Sequence, residues 1–348
     1  MSRKARIGFT RDFLDKDGNF ILPGPGLKLL DEMPNIEHQV FAEALPEVTP
    51  QQIEGFDIVI SRGLPRWTEH SFIGNEQLLS IHRNGVGYDR IDVPALTEAG
   101  VMLCITPAAV RRPVAVAILT FILALSTRLI TKHLLTREGR WHEVAKLHGY
   151  GLVGKTLGSL GVGNIGHEMF KLAKPLGMRH IAHDPYITEE VVADVGVKLV
   201  DLDTLLAESD FLSISCPLNE RTHHLIGEKE LRRMKPTAFL INTARGAIVD
   251  EAALIKALRE GWIRGAAIDV FEQEPTPPDN PLLRLDNVIT TAHAMVFTDE
   301  FLSSVWEIVF RQISQIMRGE VPEGLVNREV WDKPKFQAKL KRFLESIK

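Results

Sequence analysis

The chain has 348 residues, long enough for two domains with sizeable cores, and its 45% apolar and 25% charged residues are ordinary for a soluble globular protein. A net charge of −4 leaves no basic footprint for nucleic acid or an anionic membrane. Two cysteines, Cys104 and Cys216, in separate apolar runs, exclude a disulfide scaffold and a cysteine zinc site, and reduced thiols of this kind fit a cytoplasmic protein.

The first twelve residues, MSRKARIGFTRD, hold no signal-peptide apolar stretch. Short apolar runs bounded by turn residues predict strands at 5–10, 56–61, 78–83 and 101–106. Between the last two, RNGVGYDRID (83–92) carries Gly85 and Gly87, whose exposed backbone N–H groups would suit a carboxylate; a plain strand-to-helix turn is the other reading. Asp92 before Val93 and Pro94 reads as a capped helix start. Strands alternating with helices point to an α/β domain with a parallel sheet. The longest apolar run, 114–125, has 12 residues, too few to span a bilayer, and reads as a core helix entered at Pro113 with part of its surface at a subunit contact.

TLGSLGVGNIGHEMFKLAKPLG (156–177) is the most informative segment. An apolar run leads into Gly161, Gly163 and Gly166, a helical pattern follows, and Asp184 ends the next strand-like run 21 residues past Gly163. Strand, glycine turn, helix, strand and acid in this register form a dinucleotide-binding unit. Gly161 makes the turn, Gly163 admits the pyrophosphate, Gly166 lets the helix pack on the strand, and the helix N-terminus supplies N–H groups to phosphate. About 150 residues precede the unit, enough for a domain of their own.

Further strands are expected in HIAHD, VKLV, FLSIS, AFLINT, GAAIDVF and VITTAH, with a helix over 250–260 capped by Asp250 and ended at Gly261. Three of these runs are followed by residues with complementary chemistry: Arg245, Glu274 and His293. In an open parallel sheet, ligands bind beyond the carboxyl ends of the strands. A guanidinium grips a carboxylate with two parallel hydrogen bonds, an imidazole exchanges a proton near neutral pH, and a carboxylate beside it stabilises imidazolium and fixes the tautomer. With a hydride carrier, that set suits the interconversion of a 2-hydroxy acid and a 2-keto acid. No HExxH or comparable spacing occurs, so no metal is expected. An amphipathic helix over 301–317 and a terminal one over 335–348 are placed to return to the first domain.

The segments RNGVGYDRIDVPAL, GKTLGSLGVGNIG, HDPY, SDFLSISCPLNERT, INTARGAIVDEAAL, GAAIDVFEQEP and VITTAH together resemble the D-isomer-specific 2-hydroxyacid dehydrogenases. The resemblance covers about 56–327 and is most specific in NTARGxxVD, DVFxxEP and the strand that ends in His. It implies two Rossmann/flavodoxin-like domains: a discontinuous substrate-binding domain (1–106 plus 295–348) around an inserted NAD-binding Rossmann domain (107–294) through which the protein forms a homodimer. It also implies that Arg245 binds the substrate carboxylate, Glu274 assists and His293 is the acid/base. NAD would lie along Gly161, Gly163, Asn164, Ile165, Gly166, Asp184, Pro185, Cys216, Pro217, Thr222, Thr243, Ala244 and Asp269, the last at the nicotinamide carboxamide. Arg62, Val86, Gly87 and Arg245 would line a small 2-keto or 2-hydroxy acid, with no nucleic acid or membrane as partner.

The chain departs from the family pattern around the histidine. Ala292 stands where many members have Pro, and Ala294, Met295 and Val296 where Ile-Gly-Gly is common, followed by Phe297, which predicts a bulkier, more apolar pocket. Val116 and Ser215 replace a frequent Glu and His. Glyoxylate, hydroxypyruvate, phosphoglycerate and sugar acids all stay open as substrates. A formate-type enzyme would carry Gln in place of Glu274. A nucleotide-sensing scaffold or corepressor of the same fold is the alternative from a different class.

Overall fold

The structure is a computed structural model that describes residues 3–21, 27–33 and 35–347. The chain divides into two compact units, Met1–Val110 with Thr298–Lys348, and Arg111–Phe297.

The first unit has a five-stranded parallel sheet of β1 (Ala5–Phe9), β2 (Ile36–Val40), β3 (Ile58–Ser61), β4 (Ser80–Arg83) and β5 (Met102–Cys104), in the order β2-β1-β3-β4-β5. β3, β4 and β5 are buried along their lengths except at Arg83, as expected of a parallel sheet covered on both faces. β2 was not among the expected strands. Its middle three residues, Glu37, His38 and Gln39, are exposed at the sheet edge, so it lacks the apolar run that marks the others. Asp92 caps the helix Val93–Glu98 by accepting the Ala95 N–H at 3.0 Å.

The chain returns to this unit through the helix Asp299–Met317, capped by Thr298. Trp306, fully buried, packs against Phe9 and Phe13 with ring centroids 6.1 and 5.7 Å apart. The terminal helix Pro334–Ile347 buries Phe336, Leu340 and Phe343. It also buries Lys339, whose Nζ donates to the carbonyls of Ala99 (2.8 Å) and Leu78 (3.3 Å).

The second unit has a seven-stranded parallel sheet: β6 (Thr156–Leu160), β7 (Arg179–His183), β8 (Val197–Leu199), β9 (Phe211–Ile214), β10 (Phe239–Asn242), β11 (Gly265–Ile268) and β12 (Val288–Thr290). The order β12-β11-β10-β9-β6-β7-β8 reverses direction between β6 and β9. That reversal is the switch point at whose carboxyl ends a doubly wound sheet binds its ligand.

The apolar helix differs from expectation. It starts at Pro107 and ends at Thr127, and Pro113 lies inside it. The expected entry at Pro113 assumed that proline marks a first turn, whereas here a preceding turn and a half is already helical. With 21 residues the helix passes a membrane-spanning test of length and composition, unlike the 12-residue run within it. It is nevertheless built into the core: Ala115, Ile118, Phe121, Ile122 and Leu125 pack with Phe170 and Met169 beneath the sheet. The unit boundaries fall at 110/111 and 297/298, a few residues beyond the expected 106 and 294.

Candidate active site

The nucleotide turn is assembled from three strand ends. β6 leads into Gly161, which has φ +91°; a Cβ there would sit 3.0 Å from the backbone of Cys216, just past β9. Only glycine meets both demands. Gly163 caps the helix Asn164–Ala173, and a side chain on it would meet nothing within 4 Å. Space is therefore open at Gly163, beside the first-turn N–H groups of Asn164 and Ile165, the position the sequence reading gives to a pyrophosphate. Asp184, beyond β7, accepts the Val162 N–H on Oδ2 (2.9 Å) and the Tyr186 N–H on Oδ1 (3.0 Å). The acid is thus fastened to the glycine turn itself, and each oxygen keeps a lone pair for a ribose hydroxyl.

Pro185 follows Asp184 directly. Burial pushes the Cys216 thiol up to about 11, so it stays protonated. Past Pro217 the loop closes on Thr222, whose hydroxyl donates to the Pro217 carbonyl (2.6 Å) and accepts from the Asn219 N–H (2.8 Å). Arg221 reaches the Tyr186 hydroxyl at 3.2 Å. The buried Glu168 on the glycine-turn helix receives Arg112 at 2.8 Å, tying that helix to Pro107–Thr127.

Arg245, Glu274 and His293 follow β10, β11 and β12, which are neighbours in the sheet. His293 Nδ1 lies 2.9 Å from Glu274 Oε2, while Glu274 Oε1 accepts the Phe271 N–H at 3.0 Å. Burial alone would raise the Glu274 carboxyl. The His293 hydrogen bond and charge, the Phe271 N–H and the Arg245 charge outweigh it and hold the group below its ordinary value. Glu274 is therefore ionised at neutral pH, and Nδ1–H of His293 points at it, leaving Nε2 as the exchangeable nitrogen.

His293 has φ +51°, in the left-handed region that non-glycine residues rarely enter. Asp269 enforces it: its carbonyl accepts the His293 N–H at 2.7 Å, and its Oδ1 accepts from the Thr291 hydroxyl (2.6 Å) and the Ala294 N–H (3.0 Å). The sequence reading gives Asp269 as a nicotinamide contact; what the structure shows is that it organises the histidine loop. Asn242, absent from that reading, brackets the Thr243–Ala244–Arg245 turn by accepting the Ala244 N–H and donating to the Arg245 carbonyl at 3.0 Å. The Arg245 Nη1 donates to the Ala244 carbonyl at 2.7 Å. Gly246 then packs so tightly on the Phe271–Glu272 backbone that any Cβ would overlap it, which fixes the arginine loop beside the glutamate loop. His224 Nε2 lies 2.8 Å from Glu272 Oε1. Met295 packs into the core of the second unit, whereas Phe297 is 39% exposed.

In the first unit, Arg62 follows β3 and its Nη1 donates to the Asp12 carbonyl at 2.8 Å. Val86 and Gly87 lie in the loop after β4, where the Arg83 guanidinium folds back: Nε donates to the Gly87 carbonyl (2.8 Å) and Nη1 to that of Asn84. Among the described residues, no group of three or more His, Cys, Asp and Glu is placed to hold a metal ion.

A family profile described as "D-isomer specific 2-hydroxyacid dehydrogenase, NAD binding domain" matches residues 119–294. The chain belongs to the D-isomer-specific 2-hydroxyacid dehydrogenases. The dehydrogenase is 39% identical to a "Glyoxylate reductase" of Korarchaeum cryptofilum over 334 residues, 94% of this chain and 97% of that one. It is 40% identical to a "D-3-phosphoglycerate dehydrogenase" of Methanocaldococcus jannaschii over 302 residues, 86% of this chain and 57% of the relative. Among solved structures, the D-lactate dehydrogenase of Aquifex aeolicus, complexed with NAD and lactic acid, superimposes with a TM-score of 0.81 at 26% identity, covering 92% of this chain and 98% of that one. The dehydrogenase is an NAD-dependent oxidoreductase of small keto or hydroxy acids, with a Rossmann nucleotide-binding domain.

Proposed function

We propose that the enzyme interconverts a D-2-hydroxy acid and its 2-keto acid, with His293 as acid/base, Glu274 as the carboxylate that orients it, and Arg245 as the clamp on the substrate carboxylate. The 2.9 Å His293–Glu274 hydrogen bond, one strand from Arg245, carries this reading. Bound NAD(H) supplies or takes up the hydride at C2. In the reductive direction, His293 Nε2–H protonates the C2 oxygen, and the Glu274 carboxylate stabilises the imidazolium beforehand. In the oxidative direction, neutral Nε2 removes the hydroxyl proton. Arg245 holds the acid's carboxylate by two parallel bonds and so fixes which face of C2 is presented.

The cofactor contacts we assign are Gly161, Gly163, Asn164, Ile165, Gly166, Asp184, Pro185, Cys216, Pro217, Thr222, Thr243, Ala244 and Asp269. In the first unit we assign Arg62, Val86 and Gly87 to the substrate. Glyoxylate leads the candidate substrates because several relatives bear that reductase name. The test is NADH oxidation against a panel of 2-keto acids: glyoxylate, hydroxypyruvate, pyruvate and 3-phosphohydroxypyruvate. Turnover with at least one is expected, and none with any would sink the assignment.

We further propose a homodimer through the second unit. Val116, Leu123, Ile130, Leu134 and Trp141 stand 42–76% exposed on consecutive helical segments, a patch that a second copy would cover. Leu123→Glu should then lower the sedimenting mass to that of one chain; an unchanged mass would place the contact elsewhere. The two free thiols, Cys104 and Cys216, fit a reducing cytoplasm.

A further inference from the structure

The loop after β4 is held by a closed ring of buried hydrogen bonds that reaches across the sequence. His82, Ser80, Gln312 and Thr106 are each 0% exposed. Gln312 Nε2 donates to the Ile105 carbonyl at 2.9 Å, which leaves its Oε1 toward His82 Nδ1, also at 2.9 Å. Since Oε1 only accepts, His82 carries its proton on Nδ1, and its Nε2 accepts from the Ser80 hydroxyl at 3.0 Å. Burial drives the imidazole down to about 4, so this neutral tautomer persists through the neutral range. Next to Ile105, Thr106 grips Gly85 from both sides: its Oγ1 accepts the Gly85 N–H (3.0 Å) and its own N–H donates to the Gly85 carbonyl (2.9 Å). From Gly85 the chain runs back through Asn84 and Arg83 to His82, which closes the ring.

The loop so held combines a backbone conformation open only to glycine with an unmet buried donor. Gly85 has φ +133°. Asn84, 5% exposed, keeps an amide nitrogen with no hydrogen-bond partner among the described residues. An unmet buried donor costs about 1–3 kcal/mol, so the loop keeps this arrangement only where its surroundings hold it. A network serving the core alone would not need to end on that loop.

We propose that Gln312, His82 and Thr106 are positioning residues for the substrate: the ring sets the height and direction of the Val86 and Gly87 N–H groups. This rests on the reading that loop 84–87 binds the substrate carboxylate. The ring also makes the helix Asp299–Met317 part of the specificity apparatus, although none of its residues is assigned to touch the substrate.

The test uses the full-length enzyme, with KM for the keto acid, kcat, NADH affinity and melting temperature measured on each variant. Thr106→Val removes the hydroxyl at nearly constant shape, and Gln312→Met breaks the ring at a second point. Each should raise the keto-acid KM roughly 10-fold, the scale of one unmet buried donor, with NADH affinity unchanged. Thr106→Ser keeps the hydroxyl and should stay within about twofold of the parent. Gly85→Ala, which places a Cβ 2.6 Å from Arg83 Nη1, perturbs the loop directly and reports on the reading beneath the proposal. If Gly85→Ala raises KM while the ring variants do not, the positioning role is overturned and the loop assignment stands. If none of the three raises KM, both fall. A lowered melting temperature with KM and NADH affinity weakened alike, or a Thr106→Ser as impaired as Thr106→Val, marks the ring as structural only and overturns the proposal.

Discussion

At His293 an unusual backbone and an ordinary hydrogen bond combine. The left-handed φ turns the ring toward Glu274, and the peptide is locked there by the Asp269 carbonyl and carboxylate. Backbone strain held this firmly marks a place where orientation matters more than local stability. His293→Ala should lower kcat by at least about 10²-fold, the scale of a positioned acid/base; a folded variant with near-normal turnover would move proton transfer to another group. Arg245 makes a separate prediction. Lysine keeps the charge but loses the planar fork, so Arg245→Lys should raise the keto-acid KM and also lower kcat through a misplaced C2. NADH affinity should hardly change. If instead the melting temperature drops and KM stays, Arg245 is a structural ion-pair residue.

Element by element, the residues that make the site fall into two kinds. Those we assign to the ligand announced themselves by chemistry at a strand end, as Arg245, Glu274 and His293 do after β10, β11 and β12. Those that hold the strand ends together did not. Asn242 ties the turn just after it, the Thr291 hydroxyl donates to the Asp269 carboxylate 22 residues earlier, and Gly246 meets the Phe271–Glu272 backbone; the last two contacts are made by the fold and carry no sequence signal. The same division explains the strands. β3–β5 carry buried runs, while β2 shows polar residues to solvent and has no period-2 signal strong enough to see. The glycine turn was legible because strand, turn and helix signals coincide there, and Asp184 extends it to the cofactor choice. With Asp184 assigned to the adenosine ribose, its charge would repel a 2′-phosphate, and no Arg stands at 185–187. Catalytic efficiency with NADH should exceed that with NADPH; parity or a reversal would show that another cation, such as Arg221 beside Tyr186, compensates.

For the whole molecule, the terminal helix introduces a pH dependence. Burial lowers Lys339 to about 8 from 10.5. Below about 8 both folded and unfolded chains hold this proton, and its contribution is constant. Between about 8 and 10.5 the unfolded chain binds a proton that the folded chain has shed, so stability from this residue rises with pH. Relative to Lys339→Met, the wild-type melting temperature should therefore gain as pH goes from 7 to 10. A difference that stays constant across that range would show that the lysine does not titrate there.

The division into units also sets an order of events during synthesis. Residues 111–297 are continuous and can close as soon as they have left the ribosome. The first unit cannot: the Arg3 N–H pairs with the Ser346 carbonyl, and Phe9 and Phe13 wait for Trp306. At roughly 5–20 residues per second, its first 110 residues spend about 10–40 s with all five strands made but without the helices that pack on them from 298 onward. The N-terminal part of the first unit is thus made before the second unit but matures after it. During that interval the nascent chain is a natural client for a holdase chaperone, with β1 as the segment most in need of cover.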